Sequence, residues 1–364
     1  MTIDFGARNF FRTYSASPVG ATPVQPNVPP AEDEGDDATE TPDRTVEFAE
    51  ADWTPMIVSE APANDGEFPR RFIDGSQAGQ PVLCVRSPQG WPIPMVLSEV
   101  GAVALRSVGR TFEREFVALE RVLSFVADPF PWEEVEALAA DLVNRPELKL
   151  RLLPANRPQE THSPFDYEIM RGQARARTQQ EMTTLERLAL AVDRKTPTLV
   201  DGPLHRLMGN PAADSALLVG VAKTHPKDYL HEEGWRTLLT LKPGQRTPVF
   251  RHEGRNTEGG SIPVASWYLK LAGGPRLAPN WGYVRVEVPW VQFERQFGGK
   301  FGFIDRLSRW LIDARCRTDS YARMPVSLDP IVRAEDALKP LFTPTQVLVN
   351  RLYRTAGLFR ENDL

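Results

Sequence analysis

Apolar positions fall into short runs in the first third of this chain and into helical and strand-like stretches after it. Runs at 71–74, 81–86 and 92–97, separated by Gly75, Gly79 and Ser87-Pro88-Gln89-Gly90, predict strands joined by turns. Phe112, Phe116, Leu119, Leu123 and Val126 recur at near-helical spacing and predict a helix from about Thr111 to Ala127. A second helix is expected over Trp132–Asn144. A long charged one follows from about Phe165 to Val192, with Met182, Leu185, Leu188, Ala189 and Val192 along one side. Strand patterns return at Pro197–Val200, 216–222, 261–273 and 282–290, and helices at 301–315 and about 330–357 close the chain. Strands, helices, strands and helices in that order predict an α/β protein with a mixed sheet.

Two of the strand-like runs end alike. Arg71-Phe72-Ile73-Asp74-Gly75-Ser76 and Pro197-Thr198-Leu199-Val200-Asp201-Gly202-Pro203-Leu204 both carry apolar residues straight into Asp-Gly. Asp and Gly favour turns, so either occurrence alone is explained by turn chemistry. If the two strands lie side by side, however, two rigidly held acids stand at one sheet rim, where they could share divalent cations.

Composition adds little until it is divided along the chain. The 364 residues are 41% hydrophobic and 25% charged, ordinary for a globular protein, with two cysteines, too few for a disulfide framework. The net charge of −5 hides ten acids and one Arg within 31–52, which leaves residues 53–364 at +3. A mildly basic body with an acidic tail is compatible with a nucleic-acid enzyme. Residues 15–66, rich in Pro, Ala, Asp and Glu, are expected to stay disordered, because they bury too little apolar surface to offset their ordering entropy. Residues 1–14, with Phe5, Phe10, Phe11 and Tyr14, read as a docking segment, and the folded body is expected over 67–364. No signal-peptide pattern and no membrane-length apolar run stand out, so a cytoplasmic protein is expected.

Metal-assisted phosphodiester cleavage needs more than two acids. The long helix before the second Asp-Gly offers Glu181 and Glu186. Arg171, Arg175 and Arg177 on the same helix, with Lys223 and His225 after the next strand, are candidates for holding phosphates. Each has an ordinary alternative: helix-surface glutamates and strand-end lysines are common solvated groups. No G-x-S-x-G elbow or phosphate-binding G-x-x-x-x-G-K-[ST] loop is present, and the five histidines lack a metal-ligand spacing.

Taken together, Phe72-Ile73-Asp74-Gly75-Ser76, Leu199-Val200-Asp201-Gly202-Pro203-Leu204 and Val219-Gly220-Val221-Ala222-Lys223-Thr224 resemble the NurA family of DNA-repair nucleases. Arg323-Met324-Pro325-Val326-Ser327-Leu328 is similar to a stretch of its bacterial branch, and the resemblance spans roughly 68–345. It implies an RNase H-like mixed sheet flanked by helices. It implies Asp74, Glu181 and Asp201 as ligands of Mn²⁺ or Mg²⁺, Glu181 being preferred to Glu186 by its distance from the second Asp. It further implies Lys223 and Tyr321 as catalytic residues. Archaeal members carry a His after the Tyr that is missing here, so Asp329 is the candidate fourth ligand. DNA contacts are expected from Arg171, Arg175, Arg177, Lys223 and Arg323. The resemblance also implies a homodimer working on DNA with a hexameric HerA-type translocase, in end resection. Two other readings compete: a non-catalytic subunit regulating a translocase, motivated by the missing His, and a nuclease of an anti-phage defence system.

Overall fold

The structure is a computed structural model. It describes residues 6–19, 42–58, 68–155, 167–207, 216–223, 229–255, 261–273, 281–318 and 326–358. The chain begins with α1 (Ala7–Thr13), β1 (Ser17–Pro18) and β2 (Met56–Ile57). Three long strands follow, β3 (Arg71–Arg86), β4 (Pro92–Val108) and β5 (Thr111–Val126), then α2 (Trp132–Asn144), β6 (Leu150–Ala155) and α3 (Tyr167–Val192). Next come β7 (Thr198–Asp201), β8 (Leu218–Ala222), α4 (Glu232–Thr240), β9 (Gln245–Arg246), β10 (Phe250–Arg255), β11 (Ser261–Lys270) and β12 (Tyr283–Pro289). Four helices finish it: α5 (Trp290–Phe297), α6 (Phe301–Asp313), α7 (Asp329–Leu338) and α8 (Thr345–Ala356).

The described strands form one mixed sheet in the order β2-β9-β11-β12-β8-β7-β3-β4-β5-β6, with β1 on β3 and β10 on β11. Toward the β6 edge β3, β4 and β5 make an antiparallel meander, while β7 and then β8 run parallel to β3 on its other side. Helix α3 supplies the crossover from the meander back to β7, which keeps the parallel pair in register. This is the mixed sheet flanked by helices that was expected.

Three sequence expectations change. The segment 111–127 is strand β5, not a helix, paired with β4 from Val108↔Thr111 to Val96↔Ser124. The same residues satisfy both periods over part of their length. Pairing along the whole of β4, with β-branched Thr111, Val117, Val122 and Val126 on the pleat, overrides the local helical spacing. The runs at 71–74 and 81–86 are one strand. Gly75 and Gly79 sit within it rather than at turns, and a Cβ would collide with Glu186 of α3 at the first and with Ser98 of the neighbouring β4 at the second. The last helix is two, α7 and α8, broken where Pro340 and Pro344 deny backbone donors.

Period-two alternation sorts the central strands into two faces. Phe72, Leu199, Val219 and Val221 pack with Phe303, Ile304, Leu307 and Leu311 of α6 and Ile331 of α7. Ile73, Val200 and Leu218 pack on the other face with Ala189 of α3. A separate core at the far end of the β3–β5 meander takes in α2, α8 and Ala7, Phe10 and Phe11 of α1. Within 15–66, the described residues 42–58 lie on the body. Glu47 accepts from Arg246 Nη1 and Nη2 at 2.8 and 2.9 Å, Asp43 bridges Arg251, and Trp53 is buried beside Phe250. Among the described residues no helix is long and apolar enough to cross a membrane.

Candidate active site at the rim of the parallel strands

Asp74 and Asp201 stand on neighbouring strands. Ile73 of β3 pairs with Val200 of β7, so the two aspartates occupy the next rung, on the face shared by Phe72 and Leu199. Asp201 in turn pairs with Val221 of β8, and Lys223 follows two residues later on the same face. Lys223 Nζ donates to Asp201 Oδ2 at 2.9 Å.

The Asp-Gly turns are built differently. After Asp201 the backbone takes φ +107° at Gly202, a left-handed value glycine tolerates, and Gly202 N–H donates to Val221 O at 2.9 Å. The chain then folds back over β8 as a single 3₁₀ turn, Leu204–Arg206. Gly220 makes room for it: a Cβ there would lie 2.8 Å from Leu204 Cγ and 2.9 Å from Gly202 O. Buried Glu287 of β12 accepts from Leu204 N–H at 2.8 Å and from Arg285 Nε at 3.0 Å. Burial by itself would raise the Glu287 carboxyl, and Arg285 and His252 hold it well below the usual range. Gly75 serves an approach instead of a turn. A Cβ there would stand 2.5 Å from Glu186 Oε1, and its own N–H donates to that carboxylate.

Glu186 is therefore the helical acid at this rim. Glu181, five residues earlier and about 100° of rotation per residue away, points elsewhere and is paired with Arg151 and, at 3.8 Å, with Arg177. The family resemblance favoured Glu181 by its distance from the second Asp, which cannot say which helix face meets β3; the signal that could have found Glu186 is a strand glycine whose missing side chain leaves room for an acid. Burial pushes Glu186 up to about 7, Arg206 opposing and Asp201 adding to the rise. Asp74, also buried, is raised well above the carboxylate range by burial and then by Asp201, with Lys223 opposing and Glu186 and Glu335 adding.

Glu335 is a further acid that the sequence reading passed over. Ala334 and Leu338 of α7 pack on Val103, the cross-strand partner of Asp74, which brings the intervening Glu335 over the same rim. Its carboxylate is 2.7 Å from Lys339 Nζ. Asp329, the expected fourth acid, sits at the start of α7 against Arg333 at 3.6 Å, six residues or about 9 Å along the helix from Glu335. Tyr321, Arg323 and His225 lie outside the described residues. Arg171 and Arg177 are engaged by Glu168 and Glu181, and with Arg175 they lie about 14–22 Å along α3 from Glu186, away from the acids. The cations placed at the rim are Lys223 and Arg206.

All four acids offer hard carboxylate oxygens, the donor type of Mg²⁺ and Mn²⁺; burial is the main cause that raises Asp74 and Glu186, and the charge of Asp201 adds to the rise of Asp74. In that respect the donor set fits a divalent cation. As placed, though, no three acidic, His or Cys side chains among the described residues are grouped closely enough to hold a metal ion.

Neither a family model nor a curated protein matches this chain. A solved fold does. The NurA nuclease from Sulfolobus solfataricus superimposes over 84% of this chain and 86% of its own, at 10% identity and a TM-score of 0.42. At that level the likeness carries no functional weight, and the site has to be read from its own residues.

Proposed function

We propose that this chain is a metal-dependent nuclease that hydrolyses DNA phosphodiester bonds. The observation that carries the reading is the pairing of β3 with β7: the two apolar-Asp-Gly motifs, distant in sequence, end on adjacent parallel strands with their acids on one face and Lys223 beside them. Asp74, Asp201 and Glu186 would hold Mn²⁺ or Mg²⁺, with Glu335 facing the same rim. Such a cation would supply charge neutralisation for phosphodiester hydrolysis. Lys223, released from Asp201, would place its ammonium against phosphate oxygen. The motif order that resembles the NurA family supports a role in DNA end resection as a homodimer with a HerA-type translocase.

The Lys223–Asp201 ion pair also gives weight to a second reading, a non-catalytic subunit of a DNA translocase, because it occupies an acid the metal needs. One assay separates the two: cleavage of end-labelled DNA in Mn²⁺ or Mg²⁺, with and without the translocase. Wild-type protein should cleave, and Asp74→Ala and Asp201→Ala should each lose at least about a hundredfold in rate with unchanged circular dichroism. Cleavage retained in both variants removes this site assignment, and no cleavage by wild type under any condition leaves the subunit reading.

A further inference from the structure

The turn that carries Asp201 ends in Arg206, which neither the motifs nor the strand pattern singles out. Its backbone is fixed from two sides. Arg187 Nε of α3 donates to Arg206 O at 3.1 Å, and Glu287 of β12 holds the first residue of the same turn through Leu204 N–H. The guanidinium is thereby held between α3 and the Gly202 bend. Nη2 is 3.5 Å from Thr183 Oγ1, and Nη1 is 3.5 Å from where a side chain on Gly202 would begin. Glu186 lies within its field, yet among the described residues Arg206 forms no ion pair within 4 Å. The contrast with its neighbours is plain: Arg171, Arg177 and Arg151 are each engaged by a carboxylate, and Lys223 is on Asp201.

A half-buried guanidinium keeps five donors in a rigid fork, and those turned to solvent can be taken by an anion at little further cost in ordering. The rim around it is strongly acidic. Asp74, Glu186, Asp201 and Glu335 would repel a polyanion, so an anionic ligand needs a cation fixed at the edge of the acids rather than among them. Arg206 has that position. It lies on the α3 side of the β7 rim, while Asp74 and Asp201 face α7. A phosphate on Arg206 is thus displaced across the rim from one at the aspartates.

We infer that Arg206 is a substrate-positioning residue that binds a backbone phosphate flanking the scissile one, through its guanidinium fork. This rests on the nuclease reading above and adds to it a contact that acts on binding, not on the metal.

The test uses the full chain, a fluorescein-labelled 20-nucleotide DNA as single strand and as duplex, and Ca²⁺ in place of Mn²⁺ so that binding is followed without turnover. Arg206→Gln should weaken binding several-fold and flatten the dependence of log K on log salt by about 0.7 for the single strand or 0.9 for the duplex, the loss of one phosphate contact. Arg206→Lys, which keeps the charge but not the fork, should keep the salt slope and recover only part of the affinity. Mn²⁺ affinity by titration calorimetry should stay within twofold of wild type in Arg206→Lys, which keeps the charge beside Glu186, and should not fall in Arg206→Gln. A merely structural role would lower the thermal midpoint of Arg206→Gln and leave the salt slope at the wild-type value. That outcome overturns the inference, as does a lost Mn²⁺ affinity with an unchanged slope. If wild type cleaves DNA and the slope does not move, Arg206 alone is misassigned. If wild type neither binds nor cleaves, the nuclease reading falls and this inference with it.

Discussion

At the scale of single residues, the rim is set by glycines as much as by acids. Gly75 and Gly220 are both crowded, but by different neighbours. A methyl group at Gly75 meets the end of the Glu186 side chain, which can rotate away at the loss of one hydrogen bond from Gly75 N–H, about 1 kcal/mol. That loss is offset by the entropy Ala removes from the unfolded chain, about 0.4–1 kcal/mol. Gly75→Ala should therefore fold with a thermal midpoint close to wild type while its Mn²⁺ affinity falls roughly tenfold, as calorimetric titration would show. A methyl at Gly220 instead meets the carbonyl of Gly202 and Leu204 Cγ, neither of which can leave without moving the turn. Gly220→Ala should cost about 1–3 kcal/mol in denaturant unfolding.

At the scale of elements, the position of β7 relative to β3 is fixed at the end opposite the acids. Arg71, fully buried, donates to Glu115 of β5, to Ala189 O near the end of α3 and to Asp193 O at 3.3 Å. Arg106 of β4 binds Glu115 and Asp193 as well. Asp193 closes the α3–β7 turn by accepting from Lys195 N–H at 2.7 Å and Thr196 Oγ1 at 2.7 Å. The Thr196 bond, with the Lys195 and Arg106 bonds, holds its carboxyl well below the usual range. A depressed carboxylate stabilises the fold above the unfolded pKa of about 3.9 and loses that contribution as pH falls through the lower folded value. Asp193→Asn should thus be destabilised at pH 7 by roughly 2 kcal/mol, with the gap to wild type closing below about pH 4. Thermal melts across that range check it. Glu115, held down by Arg106 and Arg71 against its burial, keeps some acid sensitivity in the variant.

At the scale of the molecule, the acidic segment is tied to the sheet. Arg246, fully buried on β9, is neutralised by Glu47 and by Asp305 Oδ1 at 2.7 Å, and Glu47 also accepts from Val249 N–H at 2.8 Å. Asp305 still faces Arg246 when Glu47 is removed, so what is lost is the acceptor of Arg246 Nη1, Arg246 Nη2 and Val249 N–H, buried donors that are costly to leave unpaired. Glu47→Ala should lower unfolding free energy by about 2–4 kcal/mol in urea titration, a large effect for one acid among the ten between residues 31 and 52. Replacing Glu50, half-exposed and 3.6 Å from Arg44, should change little.

What the sequence determined by itself is local. Apolar runs ending in Asp-Gly, the helix over Trp132–Asn144 and the long α3 were legible because period and breaker residues act over a few neighbours. Composition likewise separated an acidic stretch from the body, but it counts charges and cannot see that Glu47 has a buried Arg waiting for it. The tertiary structure decided the rest. It made 111–127 a strand, because pairing with β4 outweighed a helical spacing, and it chose Glu186 over Glu181, because only packing sets which face of α3 meets Gly75. It brought Glu335 and Arg206 to the rim from segments with no motif of their own. Above all it placed β7 beside β3, a contact between residues more than 120 positions apart, and proximity across the chain is fixed by strand pairing and burial rather than by any run of residues.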